Sequence, residues 1–165
     1  MQTENPITQV RRQRGRSIRA FADDIGIHHQ AILLAERGVY TTILPSIRKY
    51  LSEQDIDAEG FERQYQSFIC EKRAEEGSKM GVPTLTVAAL GDPTRSPLVT
   101  VRNALGVSRM KFCKNLCIHP AYEFKCEMGE AGTLGEQIRS ALSQAGCPVD
   151  VLKELETRQL DFKRD

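Results

Sequence analysis

An internal repeat constrains this chain more than any other feature. Sliding the sequence by 91 residues lays NPITQVRRQRGRS on SPLVTVRNALGVS and IRAFADDIGIHHQ on RMKFCKNLCIHPA without a gap. Identities fall at Thr3/Thr94, Pro6/Pro97, Val10/Val101, Arg11/Arg102, Gly15/Gly106, Ser17/Ser108, Phe21/Phe112, Ile27/Ile118, His28/His119, Glu36/Glu127 and Gly38/Gly129. The same offset continues through Thr42/Thr133, Ile47/Ile138, Arg48/Arg139, Leu51/Leu142 and Ser52/Ser143. That makes 16 identities over 50 positions, where ordinary residue usage gives about three. A weaker similarity follows at an offset of 94, setting FERQYQSF from Phe61 on LETRQLDF from Leu155. The chain therefore predicts two like folding units, each with a helical tail.

The predicted boundaries are residues 1–73 for a first domain, 74–96 for a linker and 97–165 for a second, more divergent domain. The stretch AEEGSKMGVPTLTVAALGDPTRSP carries three Pro and three Gly, which mark turns. Its TLTV has the composition of a short strand. Charge is distributed unevenly under a net value of +1. Met1–Leu51 holds eight Lys/Arg against four Asp/Glu, and Ser52–Lys79 holds four against eight. One end is basic, as a nucleic-acid partner requires.

The opening residues lack the apolar core of a secretory signal, and no window approaches the roughly 20 apolar residues of a membrane span. A cytoplasmic, nucleoid-associated location without a membrane partner is expected. An odd count of cysteines, five, implies thiols rather than a disulfide framework. The absence of tryptophan leaves little for a base-stacking surface.

Within one unit, Ile7 and Val10, then Ile18, Phe21, Ala22 and Ile25, recur at the three- and four-residue spacing of half-buried helices. Gly15 separates the first helix from the second, and Ser17 is placed as an N-cap. Gly26 sits where a tight turn needs positive φ. His28 caps the next helix, which runs through Ile32 and Ala35 to a stop near Gly38. Pro45 opens a further helix to Leu51.

Two short helices joined by a glycine-containing turn form the helix-turn-helix unit. Ser17 to Gly38, with Phe21-Ala22, Gly26-Ile27 and Glu36-Arg37-Gly38 at the matching places, resembles the helix-turn-helix of the phage Cro and repressor (XRE) family. The resemblance covers Pro6 to Leu51, and the second copy, Leu98 to Leu142, follows it less closely. It implies an all-α fold class: two tandem lambda-repressor-like helix-turn-helix domains, each with a C-terminal helical extension. In the second copy Glu123 stands where the family buries an apolar side chain, filled by Ile32 in the first. Either Phe124 rotates inward to replace it, or this copy keeps the fold and has drifted from its reading role.

The resemblance also implies site residues. In the first copy the reading positions are His29, Gln30, Ala31 and Leu34; Gln30 has the amide that bonds adenine N6 and N7 together. Phosphate contacts are expected from Arg16, Arg19 and Arg37, with Tyr40 or Thr41. His28 and His119 are helix caps or phosphate contacts. The second copy's reading positions are Pro120, Ala121, Tyr122 and Lys125, with Arg109, Lys111 and Lys114 towards the backbone. Ile18 departs from the glutamine the family often places there.

Cys113, Cys117, His119 and Cys126 offer four ligand types for a tetrahedral zinc, but their spacing matches no familiar zinc pattern. Each stands where the repeat has Ala22, Gly26, His28 or Ala35, which favours small buried side chains over a metal site. No catalytic constellation stands out. An enzyme is not expected, and no cofactor or metal is called for.

The expected function is a sequence-specific, double-stranded-DNA-binding transcriptional regulator, most naturally a repressor of bacterial, phage or mobile-element origin. Two unlike reading units suit an asymmetric operator read as a covalent pseudo-dimer, or a homodimer on a longer composite site. The alternatives are an adaptor whose units bind protein, favoured by Leu33 and Leu34 on the first reading helix, and an architectural DNA-binding role.

Overall fold

The computed structural model describes residues 4–162; Thr3, one partner of the first identity, lies outside them. The described residues form ten α-helices and no strand. They divide into two compact units, Met1–Glu71 and Lys72–Asp165.

In the first unit, α1 (Pro6–Gln13) starts with proline, whose missing N–H costs nothing at a helix start. Asn5 caps it by accepting from Ile7 N at 2.8 Å, while its Nδ2 donates to the carbonyls of Ala35 and Glu36, both at 2.9 Å. One buried side chain thus joins two helix ends. α2 (Ile18–Ile25) begins at Ser17, whose Oγ accepts from Ala20 N, and stops at Gly26 in the left-handed region, φ 79°. α3 (His29–Glu36) follows, capped by His28 Nδ1 accepting from Gln30 N. α4 (Pro45–Glu53) and the first part of α5 (Ala58–Met80) complete the unit.

The core gathers Ile7, Phe21, Ala22, Ile32, Ala35, Ile47, Leu51, Phe61 and Tyr65. Burying each large apolar side chain contributes about 1.5–3 kcal/mol. Phe21 meets Tyr50 edge-on, 5.5 Å between ring centres, the orientation the ring quadrupoles favour. The Tyr65 hydroxyl lies within donating distance of two carbonyls, Ala35 at 3.0 Å and Tyr40 at 2.9 Å.

The second unit repeats this plan. α6 (Pro97–Leu105), α7 (Arg109–Asn115), α8 (Pro120–Glu127) and α9 (Glu136–Gln144) each begin 91 residues after their counterparts. Ser108 and His119 cap α7 and α8 by the bonds Ser17 and His28 make. The ion pair Arg11–Glu36 recurs as Arg102–Glu127. Cys117 takes the place of Gly26 with φ 53°, a left-handed conformation costing about 1 kcal/mol for a residue with a Cβ.

α10 (Val149–Asp161) also starts 91 residues after α5, but its contacts follow the offset of 94. Gln159 Nε2 donates to Cys126 and Ala131, the counterparts of the two carbonyls Tyr65 serves. A hydroxyl has thus been exchanged for an amide with the same acceptors. One extra turn at the start of α10 absorbs the three-residue difference.

Residues 74–96, read from sequence as a linker, pack into the second unit. Val82, Leu85 and Leu90 are buried in its core. TLTV forms no strand: Thr84 ends the 3-10 turn Val82–Thr84, and Thr86 O accepts from Ala89 N of the next one, Ala88–Leu90. No strand edge exists among the described residues to pair with it. In α5, Gly77 permits close approach to Ala145, whose Cβ would lie 2.4 Å from any Cβ added at 77. Arg73, 2% exposed, donates to the carbonyls of Leu116 (2.8 Å) and Cys117 (3.1 Å) and to Gln144 Oε1 (2.8 Å).

Candidate nucleic-acid interface

The α2–α3 pair of the first unit turns one side to the core and the other to solvent. Ile32 and Ala35 are sealed, while Gln30 is exposed and His29, Ala31 and Leu34 are half-buried at the outer edge of α3. Gly26 and Ile27 donate their N–H groups to Ala22 O, which fixes the turn that presents α3. His28 is exposed, but its Nδ1 is engaged in the cap, so only its other ring nitrogen faces outward. Arg37 and Thr41 are exposed beyond the C-terminal end of α3, and Tyr40 is half-buried.

The basic run of α1 and α2 is mostly committed within the unit. Arg11 is largely buried against Glu36, with Nε 2.5 Å from Oε1. Arg12 pairs with Glu4, and Arg16 Nε lies 2.8 Å from Asp24 Oδ2. Arg14 donates to Gln54 and stacks over Tyr50. Arg19, at the start of α2, is exposed and has no ion-pair or hydrogen-bond partner among the described residues. Its guanidinium is therefore unencumbered by neighbouring carboxylates.

The second unit differs at the corresponding surface. Lys111, Lys114, Ala121 and Lys125 are exposed, and His119 caps α8. Tyr122 is drawn inward: its hydroxyl fills the space beside Gly135, only 1.7 Å from where a Cβ would stand. In the first unit the equivalent pair is Ala31 and Leu44, so a large residue and a small one have changed places. Arg109 is partly exposed, with Nε 3.9 Å from Glu123 Oε2 and its guanidinium 4.9 Å from the Phe124 ring centre.

Phe124 does not rotate inward; it is 41% exposed, while Glu123 itself is fully buried. The repeat register is kept, so a carboxylate occupies the site of Ile32. Arg102 lies 3.4 Å from Glu123 Oε1, yet neither carboxylate oxygen accepts a hydrogen bond. Burial, reinforced by neighbouring Glu127, outweighs the two arginines and pushes the carboxyl up to about 8. The native state thus holds a proton that the unfolded chain releases above the ordinary value of 4.5. Stability is expected to fall as pH rises from that value towards 8. Glu123→Ile should remove this slope and stabilise the unit by about 1–4 kcal/mol at the alkaline end. Urea titrations at several pH values measure both effects; a slope that survives the substitution would assign the proton elsewhere.

Cys113 and Cys126 lie in the core, where burial pushes their thiols up to about 12 and about 11. Among the described residues no three His, Cys, Asp or Glu side chains are grouped to hold a metal. No described helix is long and apolar enough to cross a membrane. Leu33 and Leu34 are half-buried rather than exposed; among the described residues the exposed large apolar ones are Met110, Phe124, Val149 and Leu160, all in the second unit. Met110 was not singled out from the sequence, although it differs in kind from its counterpart Arg19. No family model, curated protein or solved structure matches the chain.

Proposed function

We propose that the first unit is a helix-turn-helix of the Cro and repressor kind that binds double-stranded DNA sequence-specifically. The protein then acts as a cytoplasmic transcriptional regulator, a repressor by occupancy of its operator. One observation carries this reading: exposed Gln30 stands at the start of α3, and uncommitted Arg19 stands at the start of α2. A helix laid in the major groove places its N-terminal residues against base edges, while the preceding helix meets the backbone. Gln30 has donor and acceptor in the fork that matches adenine. Arg19 supplies sequence-independent attraction to phosphate.

Selection of bound sites from random duplex DNA supplies the operator, and its symmetry decides between one reading unit and two. Gln30→Ala is expected to cost about 1–3 kcal/mol on the selected site and to relax specificity at one base pair. Arg19→Ala should weaken binding to all sequences and reduce the salt slope by about one. Unchanged fluorescence anisotropy titrations for both variants would remove the first unit from the interface.

A further inference from the structure

We propose that the α7–α8 face of the second unit docks an acidic, amphipathic peptide segment of a partner protein. Its outward residues are Met110, Lys111 and Lys114 on α7 and Ala121, Phe124 and Lys125 on α8. Met110 and Lys114 are one turn apart, and Ala121, Phe124 and Lys125 share one edge of α8. The Arg109 guanidinium over the Phe124 ring brings the two helices' outer surfaces together. Met110, next to Arg109 in the chain, is 67% exposed. Two large apolar side chains are thus left in water on a surface whose other long residues are cations.

The charge on this face has one sign. Lys111, Lys114 and Lys125 have no carboxylate within ion-pair distance among the described residues. The acidic residues that α8 carries, Glu123 and Glu127, are buried beside Arg102 and Arg109. A complementary partner presents acidic groups around apolar side chains, at the three- and four-residue spacing of a helix laid on a surface. Duplex DNA fits less well. Pro120 and Ala121 at the start of α8 have no side-chain group to bond a base edge. Tyr122, whose hydroxyl would do so, is turned to Gly135. Phosphates seated on the lysines would also enclose Met110 against charge, which an apolar side chain does not repay.

The probe is a displayed library of random peptides of about 16 residues, enough for roughly four helical turns. It is selected against the full chain, and recovered peptides are then titrated singly by fluorescence anisotropy. The expected peptides combine Asp or Glu with Leu, Ile or Phe at helical spacing. Met110→Asp and Phe124→Asp should each weaken them at least about tenfold, and Lys114→Glu should weaken them and flatten their salt dependence. Amide exchange of α7 and α8 establishes that the variants are folded.

A library without enrichment, an enriched set lacking the acidic and apolar pattern, or affinity that survives all three substitutions would overturn the proposal. So would a tenfold or greater loss of duplex binding in Met110→Asp and Phe124→Asp, which would make this face a nucleic-acid surface. Arg19→Ala weakens duplex binding by the first unit and leaves peptide binding intact, so failures of the two proposals are distinguishable.

Discussion

Arg73→Ala is expected to destabilise the second unit by about 3–4 kcal/mol, since each buried polar group left unpaired costs about 1–3 kcal/mol. The guanidinium serves Leu116 O, Cys117 O and Gln144 Oε1 at 2.8–3.1 Å from a position almost closed to water. Leu116 and Cys117 follow the last residue of α7, where the final carbonyls of a helix have no partner of their own and the helix dipole is negative. Cys117 is also held at positive φ, so its carbonyl is fixed by a residue more than forty positions away. Alanine leaves these acceptors without a donor. Lysine restores the charge, but a single ammonium lacks the planar fork, and Arg73→Lys should recover only part of the loss. Urea titration gives the total, and amide exchange in α7 locates it. A loss below about 1 kcal/mol would mean that water replaces the guanidinium at those carbonyls.

Arg73 also marks the limit of sequence reading. Its partners lie in the turn after α7 and in α9, 43 to 71 residues away, and in the sequence of α5 it looks like any solvated cation. The arginines of α1 and α2 hid their ion pairs for the same reason. Their number was visible, but Glu36 and Asp24, which claim Arg11 and Arg16, reach them only through the fold. Local signals were read well. The caps at Ser17 and His28, the positive φ at Gly26 and its counterpart Cys117, and the shared helix starts follow from short-range chemistry repeated twice. The register of α8 held as the repeat required, although this put Glu123 rather than Phe124 in the core. Hydrophobicity alone argued against that outcome; the proton that burial keeps on Glu123, with two arginines from neighbouring helices beside it, makes it tolerable.

The exchange of sizes between Ala31/Leu44 and Tyr122/Gly135 was open to anyone comparing the copies, and it leads to the second large effect. Gly135→Leu should cost about 4 kcal/mol, combining overpacking with a backbone conformation only glycine adopts readily. Gly135 has φ 76° and ψ 143°, and a Cβ there would collide with the Tyr122 hydroxyl. Leu44, its counterpart at the start of α4, has φ −64° and ψ 146°. The two residues differ chiefly in the sign of φ, and the space that Tyr122 takes is what stands between them. Tyr122→Ala in the Gly135→Leu background empties that space and lets the segment adopt the first unit's geometry. The double variant is expected to regain at least about 2 kcal/mol over Gly135→Leu, whereas Tyr122→Ala alone leaves a cavity and destabilises. A coupling energy of that size makes Tyr122 a packing residue of the second unit. Additive losses would instead place the strain at Gly135 in the backbone alone and free Tyr122 to turn outward towards a ligand.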